Sequence, residues 1–85
     1  MEYNFLLEQA ADEPDPLRRL ALVSVHVITC MSICERTATK PFNPILGETY
    51  EYKTENFEYL AEQVSHHPPV TAINCRGKKY NFWTN

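Results

Sequence analysis

With 85 residues and a formal net charge of -3, the chain has room for one small domain and lacks the clustered basic face that a polyanion demands, which excludes nucleic acid as a partner. Its three cysteines, Cys30, Cys34 and Cys75, are an odd set without framework spacing and read as reduced, intracellular thiols, not as a disulfide scaffold. Met1-Glu2-Tyr3-Asn4 is acidic and has no cationic start before an apolar core, and no apolar run reaches spanning length, so membrane contact is expected to be peripheral.

A short first helix is predicted over residues 3–10, with Phe5, Leu6 and Leu7 on its apolar side. Asp12-Glu13-Pro14-Asp15-Pro16 breaks it, and Asp15 before Pro16 starts the next: an acceptor at the N-cap, then proline at the first helical position. The second helix is expected over residues 17–35. Its middle, Val23-Ser24-Val25-His26-Val27-Ile28-Thr29, alternates and is β-branched, a local pattern that favours strand. The start signal and the length of uninterrupted chain favour helix.

Residues 40–48, Lys40-Pro41-Phe42-Asn43-Pro44-Ile45-Leu46-Gly47-Glu48, form a loop stiffened by two prolines. Pre-ordering lets Lys40 and Asn43 present a compact cation and amide donors at a reduced entropy cost. Taken alone, a Pro-x-x-Pro stretch is equally a plain turn. Strands follow. Tyr50 and Tyr52 share a face, Lys53-Thr54-Glu55-Asn56 turns, and residues 57–64 return as a hairpin; residues 70–75 and 80–83 pair across Arg76-Gly77-Lys78-Lys79. Glu48, Glu51, Glu55, Glu58 and Glu62 alternate with apolar residues as a solvated face. The outer strands are expected to leave sheet edges unpaired.

Between the two hairpins lies Glu62-Gln63-Val64-Ser65-His66-His67-Pro68-Pro69. Neighbouring side chains of a regular strand face opposite ways, so His66 and His67 reach one ligand only where the strand ends or bulges; the double proline supplies such a departure. Two converging imidazoles suit a metal ion or a phosphate. A phosphate carrying roughly -1.5 to -2 charges favours protonated imidazoles, whose ring nitrogens are then all donors. A pair of turn histidines without a ligand is the plainer alternative.

The two runs, in this order and at this distance, resemble the two signatures of the oxysterol-binding-protein-related lipid-transfer proteins, and the preceding Asp15-Pro16-Leu17-Arg18-Arg19 to Arg36-Thr37 stretch looks like the helix leading into them. The resemblance covers nearly the whole chain. It implies an α+β fold in which N-terminal helices over about residues 3–36 precede the signature loop at 40–48, followed by antiparallel strands over 49–85 that begin a large lipid-binding β-barrel. It also implies that His66 and His67 contact an inositol phosphate at the mouth of the barrel, with Lys40 and Asn43 joining them. Phe42 and Glu48 stand at signature positions near that mouth, where a loop-packing ring and a strand-end carboxylate account for them as well.

The expected function is lipid binding and transfer between membranes, a sterol or other lipid being exchanged for phosphatidylinositol 4-phosphate. No cofactor or catalysis is implied, and the expected location is the cytoplasm, peripheral to membranes at their contact sites. The family domain is several times longer, so the chain is expected to be a partial domain without the lid and most of the barrel. The competing account is a truncated or partner-dependent fragment with no transfer of its own. A further rival is a metal module: His26, Cys30 and Cys34 recur at four-residue steps and share one helical face, to which His66 or His67 could add a ligand. Buried cysteine serving as a small hydrophobe explains that spacing without a metal. A Cys-His nucleophile lacks any orienting residue, and Gly47 and Gly77 alone make no phosphate loop.

Overall fold

Asp15 decides where the long helix begins. Its carboxylate accepts a hydrogen bond from the Leu17 amide at 2.9 Å while Pro16, which has no amide to satisfy, occupies the first helical position. The computed structural model describes residues 1–35, 38–39 and 41–85, with the backbone alone for residues 33–35. These fall into two compact units, Met1–Lys40 and Pro41–Asn85.

The first unit holds α1 (Phe5–Asp12) and α2 (Pro16–Thr29). The Arg19 guanidinium donates to the Glu13 and Pro14 carbonyls at 3.1 and 3.3 Å, pinning the turn between them. Leu6, Leu7 and Ala10 of α1 are buried. On α2 the buried residue is His26, 4% exposed, whose Nδ1 lies 3.3 Å from the Tyr3 carbonyl oxygen, the contact that an Nδ1–H tautomer makes. The β-branched middle is thus helical, as its start signal requires. The expected helix to residue 35 is corrected in its last third, where α2 ends at Thr29 and the chain tightens into a 3₁₀ segment, Cys30–Glu35. The Thr29 hydroxyl donates to the His26 carbonyl at 2.6 Å and the Cys30 thiol reaches the same oxygen at 3.9 Å. Side chains that bond back to a helix carbonyl compete with its regular ladder.

The second unit is an antiparallel meander of β1 (Thr49–Lys53), β2 (Phe57–His66), β3 (Pro69–Gly77) and β4 (Asn81–Thr84), in that spatial order. Tyr50 opposes Ala61 and Tyr52 opposes Tyr59. Cys75 opposes both Tyr59 and Phe82. These residues define one face, on which Phe57, Ala61, Gln63 and Cys75 are buried. Glu51, Glu58 and Glu62 belong to the other face and are exposed, and Glu58 is paired across the strands with Lys53. The first turn is held by the Thr54 hydroxyl, which accepts from the Asn56 and Phe57 amides at 3.2 and 3.1 Å. The last runs from Gly77 to Tyr80, whose carbonyl accepts the Gly77 amide at 2.9 Å; a Cβ at Gly77 would stand 2.2 Å from the Tyr80 ring, which explains glycine there.

Candidate functional site at the second hairpin

The middle turn carries the histidines. In β2 the pairing runs regularly to Gln63 opposite Thr71, then shifts so that Ser65 opposes Val70 and His66 opposes Pro69. Val64 is the extra residue of a β-bulge. Had the earlier register continued, Ser65 would oppose Pro69 and three residues, His66, His67 and Pro68, would make the connection. The bulge instead leaves His67 and Pro68 as the connection, and the His67–Pro68 peptide is cis, as in a type VI turn. The prolines therefore do not simply stop a strand: Pro68 is in the turn and Pro69 opens β3, a position where its missing amide is tolerated.

Both departures from regular strand, a bulge and a strand end, act on the pair. The His66 and His67 rings meet edge to face with centroids 4.5 Å apart, inclined at 66°, and both residues are exposed. Among the described residues, no hydrogen bond joins either imidazole to a protein group.

The Pro-rich loop is tied to the same strand. Gly47 donates to the Gln63 carbonyl at 2.8 Å and Gln63 donates to the Glu48 carbonyl at 3.0 Å, so the loop extends the β1–β2 ladder up to the bulge. Its last turn closes by the Glu48 amide donating to the Ile45 carbonyl at 3.0 Å, with Gly47 at φ +79°, the value a type II turn needs at its third residue. The Glu48 carboxylate accepts the Ile45 amide at 2.8 Å, so its bonds in this structure belong to the turn itself. Phe42 is fully exposed, so of its two explanations the loop-packing ring does not hold. Asn43 is exposed in the same loop, and Lys40 lies outside the described residues. Of the expected set, then, the structure places the two histidines together and Asn43 in the loop bonded to their strand.

Sequence reasoning did not single out Gln63, which is 1% exposed and hydrogen-bonded through Oε1 to the Thr71 hydroxyl at 2.5 Å. Period-two counting could have found it, since Phe57, Tyr59, Ala61 and Gln63 share a face and an amide is out of place on an apolar one. For the metal rival, no three His, Cys, Asp or Glu residues gather as a ligand set among the described residues; the Cys34 side chain lies outside them. No helix among the described residues is long and apolar enough to cross a membrane.

Helices followed by an antiparallel meander also occur in a lipid-binding domain of known structure. The chain resembles the Osh1 ORD domain crystallised with cholesterol at a TM-score of 0.88 and 39% identity, over 96% of this chain and 20% of that one. The ergosterol complex of the same domain gives 0.87 and 39% identity with the same coverage. The family model described as oxysterol-binding protein matches residues 1–85. The human oxysterol-binding protein-related protein 6 is 45% identical over 98% of this chain. The human related protein 2 is 44% identical over 96%, and related protein 1D of Arabidopsis thaliana 35% over 98%. The chain spans 9% of the first of these relatives, 18% of the second and 11% of the third.

The fold is thus that of part of the Osh1 ORD domain, with helices first and antiparallel strands after, as the sequence led one to expect. The chain belongs to the oxysterol-binding protein family.

Proposed function

We propose that this chain supplies part of a lipid carrier that moves a sterol between membranes and exchanges it for phosphatidylinositol 4-phosphate. The observation that carries the reading is the pair of adjoining, exposed imidazoles at the β2–β3 turn, on a strand bonded to the loop that bears Asn43. His66 and His67 hold the head-group phosphate, and Asn43 with Lys40 completes the set. A set that includes the Lys40 ammonium suits a phosphate better than a cation, because an ammonium has no lone pair to offer a metal. Support for the sterol comes from the likeness to a domain crystallised with cholesterol and with ergosterol.

The reading needs no covalent chemistry. Directionality comes from linkage: two lipids that compete for one cavity each lower the other's occupancy. The carrier works in the cytoplasm and touches membranes peripherally, at their contact sites. Replacing both His66 and His67 with alanine in the complete native protein is expected to abolish extraction of phosphatidylinositol 4-phosphate from vesicles while leaving extraction of a fluorescent sterol largely intact. Equal loss of both lipids would count against this division of labour.

A further inference from the structure

The cations of the second unit are scattered in the sequence and gathered by the fold. In a four-stranded meander the first and third turns share one end of the sheet, and here the Lys78 ammonium donates to the Asn56 side-chain oxygen at 3.2 Å across them. Register adds the strand residues beside the turns. Lys53 opposes Glu58, Glu58 opposes Arg76 and Arg76 opposes Asn81, so these four cross the sheet as one row on one face. Lys53, Arg76, Lys78 and Lys79, half of the chain's eight Lys and Arg residues, thus lie at this end, and all are exposed. Glu55 and Glu58 lie among them, and Glu58 is already bonded to Lys53. The end therefore carries a surplus of cations in a chain whose net charge is -3.

This surface is separate from the histidines. β2 spans ten residues, which puts His66 at its far end, roughly 30 Å away at the rise of a strand and well beyond a screening length of about 8 Å in physiological salt. Its neighbours indicate the occupant. Trp83 opposes Asn74, two residues from Arg76, on the same face of the sheet, and is 69% exposed. Indole beside lysine suits a boundary between water and lipid, where the ring lies among head groups and the ammonium groups meet their anions. An acidic polypeptide fits less well. The groove on this face is lined by Glu51 and Glu58 as well as by Lys53 and Arg76, so an anionic chain laid along it would meet carboxylates in turn. A bilayer surface touches only the protruding tips.

We infer that the end of the sheet formed by the β1–β2 and β3–β4 turns is a docking surface for an anionic bilayer, with Lys78 and Lys79 at the head groups, Arg76 behind them and Trp83 at the interface. Such docking rests on the peripheral membrane contact proposed above and is independent of which lipid the histidines hold.

The test uses the complete native protein and vesicles of phosphatidylcholine with or without phosphatidylserine, free of sterol and phosphoinositide. Hydrogen exchange is followed by mass spectrometry in peptides covering the turns at residues 54–56 and 78–80. Phosphatidylserine is expected to slow exchange in both turns, and less so at about 0.5 M salt. Lys78→Gln with Lys79→Gln should raise the vesicle concentration that half-protects the turns about 25-fold, about fivefold per cation. Lys78→Arg with Lys79→Arg should stay near the parent. Glu55→Gln should lower that concentration about fivefold, a gain that misfolding does not produce.

Exchange unmoved by phosphatidylserine, or protection that survives Lys78→Gln with Lys79→Gln, would overturn the docking surface. So would protection by polyglutamate without any by vesicles, which marks an acidic protein as the partner. His66→Ala with His67→Ala should leave the turns protected, so that loss of phosphoinositide extraction and loss of docking are read separately.

Discussion

Single residues already set limits on what this sheet tolerates. Gly47 sits at φ +79° with nothing within 4 Å of where a Cβ would be, so its requirement is purely conformational. Gly47→Ala is expected to lower stability by about 1–2 kcal/mol, the cost of a left-handed L-residue, in urea titrations of the purified protein. Gly47→Asn should recover part of it, because asparagine enters that region more readily. Cys75 sets a pH limit. It is 0% exposed, and burial pushes its thiol above the usual range, with a hydrogen bond from Tyr80 pulling partly back. Burial, and then the neighbouring Cys75 and Tyr50, raise Tyr59 likewise. Both groups keep their protons in the folded chain after the unfolded chain has begun to lose them. Their contribution is complete below the unfolded thiol's pKa of about 8.5 and is lost as pH rises through the folded value. Stability should thus fall along the alkaline limb, and Cys75→Ala should flatten that fall in denaturation curves taken between about pH 7 and 10. Glu58 acts with the opposite sign: a hydrogen bond from Lys53, then its charge, hold the carboxyl below 4.5, so the contribution is present above that pH and lost as pH falls. That pair is exposed, and its effect on the acid limb should be shallow.

At the level of elements, the second helix depends on its cap. Asp15→Ala removes the acceptor for the Leu17 amide and is expected to cost about 1 kcal/mol, read as lost helicity and a lower midpoint, with Asp15→Ser close to the parent. This start was legible because a cap is a local event, written in Asp15 and Pro16 alone. So were the hairpins: alternation placed Tyr50 and Tyr52 on one face and the glutamates on the other. What was not legible is non-local. Nothing in Val64 marks it as a bulge, since the shift arises from counting two strands against each other. The 3₁₀ end of the second helix follows from Thr29 and Cys30 sharing one carbonyl, a choice that propensity does not reveal. Of the candidate site, the histidine pair was legible through its prolines, and Asn43 through its loop. Gln63 was hidden because its partner Thr71 lies on the next strand.

For the whole molecule, surface matters more than core. All of β1 is exposed, and the order β1-β2-β3-β4 leaves it and β4 as the outer strands. On α2, Leu17, Leu20 and Ile28 are exposed, as is Met31 beyond it. Open edges and apolar surface seek partners. These 85 residues produced alone are expected to elute as species heavier than 9.9 kDa by size-exclusion chromatography with light scattering. A sharp monomer peak with sheet-like circular dichroism would contradict this.

The bonds between Gly47, Glu48 and Gln63 also bear on how such a sequence is free to drift. They make the Pro-rich run and the histidine run the two ends of a single hairpin, so the spacing between the runs is a ruler set by its arms. A lineage can lengthen the tip beside Thr54 at little cost, since both arms move out together. An insertion within either arm slides one run past the other, and no later change at Asn43 or the histidines themselves restores their alignment; only a matching insertion in the opposite arm does.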